Sequence, residues 1–212
     1  MRVARLLLLA APMNAAHAID GPDSWSSLSA SLARAHFVTR TFVCSDVVGF
    51  TRMMERVGDK PMLRMMRRHD RIVREQVALH GGTELELRGD GFVLCFEDPF
   101  AALACAEGIQ RSFADHTREH AFLDVRIGVH TGPVLRDGGR YFGRDVVIAF
   151  RLLDIAKGGE IVVSESVCRE IRARYPDRLV EAQLETLKGL RRKIRVAKYA
   201  WREAATGEHP EM

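Results

Sequence analysis

The chain has 212 residues, of which 47% are hydrophobic and 28% charged, and its formal net charge is +4. This length and composition are typical of one globular domain and exclude a disordered or fibrous chain. The modest basic balance fits an anionic ligand, nucleic acid, an anionic membrane surface or simply a solvated surface, so it selects no function.

The first 35 residues are predicted to precede the globular domain. Residues 1–18 combine basic residues, a short apolar run and a small-x-small end, which resembles a secretory signal. The alternative is an upstream stretch of no structural consequence, with Met13 as a later start. Residues 19–35 are small and polar and are typical of a linker or of a loosely held helix. No apolar stretch reaches the length of a membrane span.

The four cysteines favour a reduced, cytoplasmic chain. They have neither C-x-x-C spacing nor the spacing of a zinc site. Two of them, Cys44 and Cys95, fall in apolar strand-like runs, where a free cysteine behaves as a small hydrophobic residue.

From residue 37 onward the pattern alternates between strands and helices. We predict strands at Phe37–Cys44, Thr83–Leu87, Phe92–Phe96, Phe122–His130, Glu160–Val163, 178–184 and 193–200. We predict helices at 59–80, Pro99–His116 and Gly143–Ala156, and a further one capped by Ser164. The first six elements follow the order β-α-β-β-α-β, which is an α+β, ferredoxin-like antiparallel sheet with helices packed on it. The domain is expected to span 36–202, followed by a polar tail at 203–212.

Two carboxylates are candidates for a metal site. Asp46 follows the first predicted strand, and Asp90 lies in the Gly-Asp-Gly turn that opens the third. The third strand of this fold runs antiparallel beside the first, so the two side chains are expected to meet at one sheet end. Hard oxygen ligands suit Mg²⁺ or Mn²⁺ bridging a triphosphate. The alternative is that each aspartate is an ordinary turn residue.

A phosphate seat is predicted directly after Asp46. Gly49, Phe50 and Thr51 turn from the strand into a helix. Backbone N–H groups at a helix start, with a glycine that permits close approach, bind phosphate well.

Several motifs together resemble the catalytic domain of class III adenylate and guanylate cyclases. They are TFVCSDVVGFTRMMERVGD, GGTELELRGDGFVLCFEDPFAALACAEGIQ, VRIGVHTGPVL, YFGRDVVIAFRLLDIAKGGEIVVSESV and LKGLRRKIRVAKYAW. They stand in the family's order and at its spacing, over roughly residues 38–201.

The resemblance implies a homodimer with active sites shared across the interface. One protomer would hold two divalent ions through Asp46, Asp90 and the backbone of Val47. The other would supply Arg151, which stabilises charge on the transferring phosphate. Lys188 would lie near the outer phosphates. The implied reaction converts a nucleoside triphosphate to a 3′,5′-cyclic nucleotide and pyrophosphate.

One departure from the family concerns catalysis. At Val147, four residues before Arg151, the family usually has an asparagine that holds the ribose. Loss of one positioning donor costs roughly a hundredfold in rate. The alternative function is therefore a degenerate cyclase domain that binds nucleotide or a partner without turnover.

Two further departures concern the base. Glu86 stands where adenylate cyclases usually have a lysine, as it does in guanylate cyclases, and Arg140 occupies the second base-reading position. A carboxylate accepts hydrogen bonds, which suits guanine or a pyrimidine better than adenine. Family members that make cyclic pyrimidine nucleotides as antiphage signals also exist. Alternatively, Glu86 lies on a solvated strand face. A nucleic-acid module rests on charge alone, and no nucleic-acid partner is expected.

Overall fold

The computed structural model describes residues 35–119 and 123–202. The signal-like segment, the linker up to residue 34 and the polar tail after residue 202 lie outside the described residues. The strands are β1 His36–Val47, β2 Thr83–Arg88, β3 Gly91–Phe96, β4 Val125–Asp137, β5 Arg140–Phe142, β6 Ile161–Ser164, β7 Leu179–Glu185 and β8 Ile194–Tyr199. The helices are α1 Phe50–Val57, α2 Asp59–Leu79, α3 Pro99–Glu119, α4 Arg144–Leu152 and α5 Glu165–Ile171, with a 3-10 turn at Pro176–Arg178.

One mixed sheet forms the centre of the fold. Its strand order is β2-β3-β1-β4-β6-β8-β7, and β5 pairs with β4. The pairs β2–β3, β3–β1 and β1–β4 are antiparallel, which confirms the predicted α+β core. The pair β4–β6 is parallel, so the complete sheet is mixed.

The helices cover both faces of this sheet. Helices α2, α3 and α5 contribute to the largest core cluster, which includes Val43, Ile109 and Ile171. Helix α4 packs on the opposite face through Val146 and Leu152. It lies so close to β4 that a Cβ on Gly128 would stand 2.9 Å from the carbonyl oxygen of Ala149.

Two strands are longer than predicted. The prediction that this strand ends at His130 is wrong, because β4 continues to Asp137 and Pro133 pairs with Thr39 of β1. Proline carries no backbone donor but its φ is compatible with a strand. Similarly, β1 runs to Val47, so Asp46 lies inside the strand rather than just past its end.

Two helix starts differ in how they are capped. Asp98 caps α3, since its carboxylate accepts hydrogen bonds from Phe100 N and Ala101 N, both at 3.1 Å. Ser164 is the N-cap residue of α5, but its side chain makes no cap hydrogen bond and bonds elsewhere.

Candidate active site

The strand register brings Asp46 and Asp90 to the same end of the sheet. Cys44 of β1 pairs with Val93 of β3, and continuing this antiparallel register sets Asp46 beside Gly91. The two strands are in close contact here, because a Cβ on Gly91 would meet the carbonyl oxygen of Ser45. The amide of Phe92 also donates to Ser45 Oγ at 3.2 Å. Close packing against β1 therefore requires a glycine at position 91.

The electrostatics of Asp90 reflect this closeness. Burial raises the pKa of Asp90 above its usual value, and the negative charge of Asp46 raises the pKa further. Two carboxylates that repel each other at a partly buried position form a donor set that a divalent cation would stabilise. Mg²⁺ commonly takes one or two carboxylates and completes its shell with water and phosphate oxygens. The residues present thus fit such an ion, although no cluster of three or more His, Cys, Asp or Glu ligands occurs among the described residues.

Arg126 is a site residue that the sequence reasoning missed. It lies opposite Asp46 in the β1–β4 register, and its Nε and Nη2 donate to Asp46 Oδ2 at 2.9 and 2.5 Å. Its Nη1 donates to the carbonyl oxygen of Leu153, just after α4, at 2.8 Å. The guanidinium therefore links the first carboxylate to the end of α4. The sequence signal was a lone arginine between the buried residues Val125 and Ile127.

The predicted phosphate seat lies directly after β1. Gly49 has φ 69° and is the N-cap of α1, without a side-chain cap hydrogen bond. The amide of Val48 donates to Asp124 O at 2.8 Å, which anchors the turn to the residue before β4. Phe50 packs against the main core, whereas Thr51 is exposed. The start of α1, four residues after Asp46, is therefore free of a side-chain cap.

Helix α4 carries Val147 and Arg151 on neighbouring turns of one face. Val147 is half-buried. The Arg151 side chain is 13% exposed, and its Nη1 lies 3.2 Å from Asp154 Oδ2. Within the described residues its Nε is buried and has no hydrogen-bond partner. A buried guanidinium donor of this kind is costly unless another group satisfies it.

Lys188 lies in the loop between β7 and β8 and is exposed. The preceding residue, Leu187, is buried in a cluster with Ile148 and Leu152 of α4. The lysine is therefore held on a loop that is anchored to the same helix that carries Arg151.

The two predicted base-reading residues occupy different parts of the sheet. Glu86 of β2 is at the level of Gly128 on β4, because the register connects the two through Val93 of β3 and Cys44 of β1. Arg140 pairs with Asp137, nine positions further along β4. The register thus separates the two residues along the sheet within one chain.

The comparison with known families decides the identity of this fold. The model of the adenylate and guanylate cyclase catalytic domain matches residues 34–199. The chain belongs to this family.

Solved cyclase structures share the fold of the domain. An adenylate/guanylate cyclase/hydrolase from Silicibacter pomeroyi has 28% sequence identity and a TM-score of 0.72, with 78% of this chain and 98% of that chain covered. The adenylyl cyclase CyaB from P. aeruginosa has 19% identity and a TM-score of 0.68, over 78% and 95% of the two chains. The second likeness is evidence of fold alone.

The curated relatives are longer proteins. A putative adenylate cyclase 3 of Rhizobium meliloti is 25% identical over 73% of this chain and 27% of its own length. An uncharacterized protein of Mycobacterium tuberculosis is 32% identical over 73% of this chain and 53% of its own length. The cyclase domain described here thus spans about half or less of these two relatives.

The cyclase domain also contains a largely buried polar network around His130. His130 Nδ1 lies 2.7 Å from Ser164 Oγ, and its Nε2 lies 2.8 Å from Asp145 Oδ1. Ser166 Oγ donates to Thr131 O at 2.6 Å. Because Asp145 is in the first turn of α4, this network fixes the start of the helix that carries Arg151.

The described helices of the cyclase domain include no candidate membrane span, since none combines the necessary length with sufficient apolar character.

Proposed function

We propose that this cyclase domain converts a nucleoside triphosphate to a 3′,5′-cyclic nucleotide and pyrophosphate in a homodimer with shared sites. The observation that carries the proposal is the convergence of Asp46 and Asp90 beside the Gly49 turn, with Arg126 bound to Asp46. Carboxylates, uncapped amides and a guanidinium at one sheet end are the groups that bind a metal-bound triphosphate. Because nucleoside triphosphates are abundant inside cells, we expect a cytoplasmic location.

In this proposal Asp46, Asp90 and the backbone carbonyl of Val47 would hold two divalent ions, Mg²⁺ or Mn²⁺. When bound, these ions supply charge neutralisation of the phosphates and a lower pKa for the ribose 3′-hydroxyl. Arg126 keeps the Asp46 carboxylate oriented, because its two nitrogens contact the same oxygen. This arrangement leaves the other oxygen of Asp46 for a ligand.

The remaining groups act on the triphosphate itself. The first amides of α1, after Gly49, bind phosphate oxygens and orient them. Arg151 of the partner protomer stabilises charge on the transferring phosphate. Lys188, on the loop anchored to α4, binds the outer phosphates.

The reaction balances without a further reactant. The ribose 3′-oxygen forms a bond to the α-phosphorus, and the bond from that phosphorus to the bridging oxygen breaks. Pyrophosphate leaves with the electron pair, and the hydroxyl proton passes to solvent. The chain contributes by position and charge, which together account for much of the catalysis of phosphoryl transfer.

For the base, we propose that Glu86 selects against adenine. Glu86 is one third exposed, so its carboxylate is accessible to a ligand. A carboxylate accepts from the ring N–H of guanine or of uracil, which adenine lacks.

A second function is favoured by one observation, the half-buried Val147 on the same helix face as Arg151. Valine donates no hydrogen bond to a ribose, so a domain that binds nucleotide or a partner without turnover is the alternative. Replacement of Val147 by asparagine distinguishes the two, because it supplies the missing donor in a helix that already exists. A rise in turnover from zero would favour the alternative for the natural chain.

The decisive experiment is incubation of the purified protein with Mn²⁺ and, separately, ATP, GTP, CTP and UTP. Products are identified by mass spectrometry, beside an Asp90→Asn control that keeps the size of the side chain and removes its charge. We expect one cyclic product in the wild type and at least a hundredfold less in the control. No cyclic product from any of the four nucleotides would overturn the proposed function.

A further inference from the structure

An ion pair on β2 stands out in the cyclase domain because both members face the side of α4. Arg88 Nε lies 3.1 Å from Glu86 Oε1, and the two side chains are 32% and 33% exposed. The guanidinium carbon of Arg88 is 5.4 Å from the centroid of the Phe150 ring, on α4. This stacking restrains the arginine while leaving it open to a ligand.

The register places this pair close to the carboxylates. Arg88 pairs with Gly91, the residue after Asp90, and Glu86 pairs with Val93. A bulge between Glu84 and Glu86 shifts the alternation of β2. As a result Glu84 bonds to Arg74 on α2, whereas Glu86 and Arg88 lie on the face of α4.

The pair retains most of its hydrogen-bonding capacity. Among the described residues, neither Glu86 nor Arg88 makes a further side-chain hydrogen bond beyond their mutual contact. Glu86 Oε2 is therefore available as a charged acceptor, and both terminal nitrogens of Arg88 are available as charged donors. An adjacent charged donor and charged acceptor of this kind can bond together to the edge of a nucleobase.

We propose that Arg88 is a specificity-determining residue that acts with Glu86 to select bases in which a carbonyl oxygen adjoins a ring N–H, namely guanine and uracil. This inference rests on the proposed function and names its substrate class. The arginine donates to the carbonyl oxygen while the glutamate accepts from the acidic ring N–H, so both bonds are charge-assisted. Adenine and cytosine offer an amino group beside an unprotonated ring nitrogen, and both are weaker partners for the pair.

The geometry favours Arg88 over Arg140 as the donor that accompanies Glu86. Arg88 contacts Glu86 directly, whereas Arg140 pairs with Asp137, nine positions along β4 from the level of Glu86. The Arg140 guanidinium instead lies 5.9 Å from the Phe142 ring centroid. Arg140 thus provides a matched control of the same residue type.

The test measures binding rather than turnover. The full chain, with Mn²⁺, is titrated by calorimetry with the four 3′-deoxynucleoside triphosphates, which lack the hydroxyl that would be cyclised. We expect the guanine or the uracil nucleotide to bind at least tenfold more tightly than the adenine and cytosine nucleotides. Arg88→Leu should reduce this ratio about tenfold, the discrimination lost with one charged bond of about 1.4 kcal/mol.

Two comparisons keep the result unambiguous. Arg88→Gln retains neutral donors and should restore part of the ratio, whereas Arg140→Leu should leave the ratio unchanged. A uniform loss of affinity for all four nucleotides in Arg88→Leu would mean that Arg88 only supplies charge, and would overturn the inference. A wild-type preference for adenine or cytosine, or a collapse of the ratio in Arg140→Leu alone, would overturn it as well.

The binding test and the turnover test have independent outcomes, so the base inference and the proposed catalysis can be rejected one without the other. Selective binding that depends on Arg88, together with an absence of cyclic product, would retain the base inference and reject the proposed catalysis. Formation of a cyclic product with no effect of Arg88 on selectivity would retain the proposed catalysis and reject the base inference.

Discussion

Replacement of Gly91 by alanine tests whether the contact between β1 and β3 sets the carboxylate pair. The new Cβ would stand 2.2 Å from the carbonyl oxygen of Ser45, whereas real Cβ atoms essentially never come within 3.0 Å of such a neighbour. Because both atoms belong to backbone or are bound to it, β3 must move by about 0.8 Å relative to β1. Asp90 is the preceding residue and must move with it.

The expected cost follows from this displacement. Overpacking of a close contact costs about 1–3 kcal/mol of unfolding free energy. For a chain of this size each kcal/mol lowers Tm by about 2–4 °C, so a fall of at least a few degrees is expected. A shift of about 1 Å in a catalytic group costs roughly a hundredfold in rate, so metal-dependent turnover should fall by about that factor.

The assay combines thermal unfolding with Mn²⁺-dependent product formation. Gly138→Ala is the control, since Gly138 has φ 53° and nothing within 4 Å of its added Cβ. It carries the generic strain of about 1–2 kcal/mol for a left-handed residue, without a clash at the site. Unchanged Tm and unchanged turnover in Gly91→Ala would refute the reasoning that this contact positions Asp90.

Three further predictions follow from other contacts. His130→Ala should lower the free energy of unfolding by about 1–3 kcal/mol in denaturant titration, because it leaves the carboxylate of Asp145 and the hydroxyl of Ser164 without their buried partner; an unchanged midpoint would contradict this. Arg126→Leu should weaken Mn²⁺-dependent nucleotide binding at least tenfold, measured by calorimetry, because Asp46 loses both of its orienting bonds; equal affinity would contradict the orienting role. Burial raises the pKa of the Cys105 thiol from 9.0 to about 12, so the thiol ionises first in the unfolded state and the free energy of unfolding should fall as pH rises from about 9 towards 12. Cys105→Ala should make this dependence of the unfolding free energy on pH less steep, and an identical dependence in the variant would rule out the thiol as its source.

Much of the fold could be predicted because local signals and the global topology agree. The Asp98 cap before Pro99, the glycines after α2 and the Gly-Asp-Gly hairpin each mark a boundary that depends on a few adjacent residues. The order of strands and helices then limited the topology to the antiparallel core. The same reasoning brought Asp46 and Asp90 together, since strand direction alone decides which ends meet.

The errors arose where distant segments stabilise a local conformation. Pro133 lies within β4 because it pairs with Thr39 of β1. The residues next to Pro133 in the sequence carry no signal that predicts this pairing. Ser164 has the side chain of an N-cap, yet its hydroxyl bonds to His130 of another strand. In both cases tertiary pairing overrides the local preference.

By itself, the sequence determined the order of elements, the cyclase family motifs and the pair of acidic residues, because these depend on residue type and spacing along the chain. Only the tertiary structure decided which charged groups meet. Arg126 contacts Asp46 across paired strands. The partner of Glu86 is Arg88 and not Arg140, because a bulge on β2 and the stacking of Arg88 on the Phe150 ring orient the Arg88 side chain. Side-chain contacts between strands depend on register and twist, which become definite only when the whole sheet has formed.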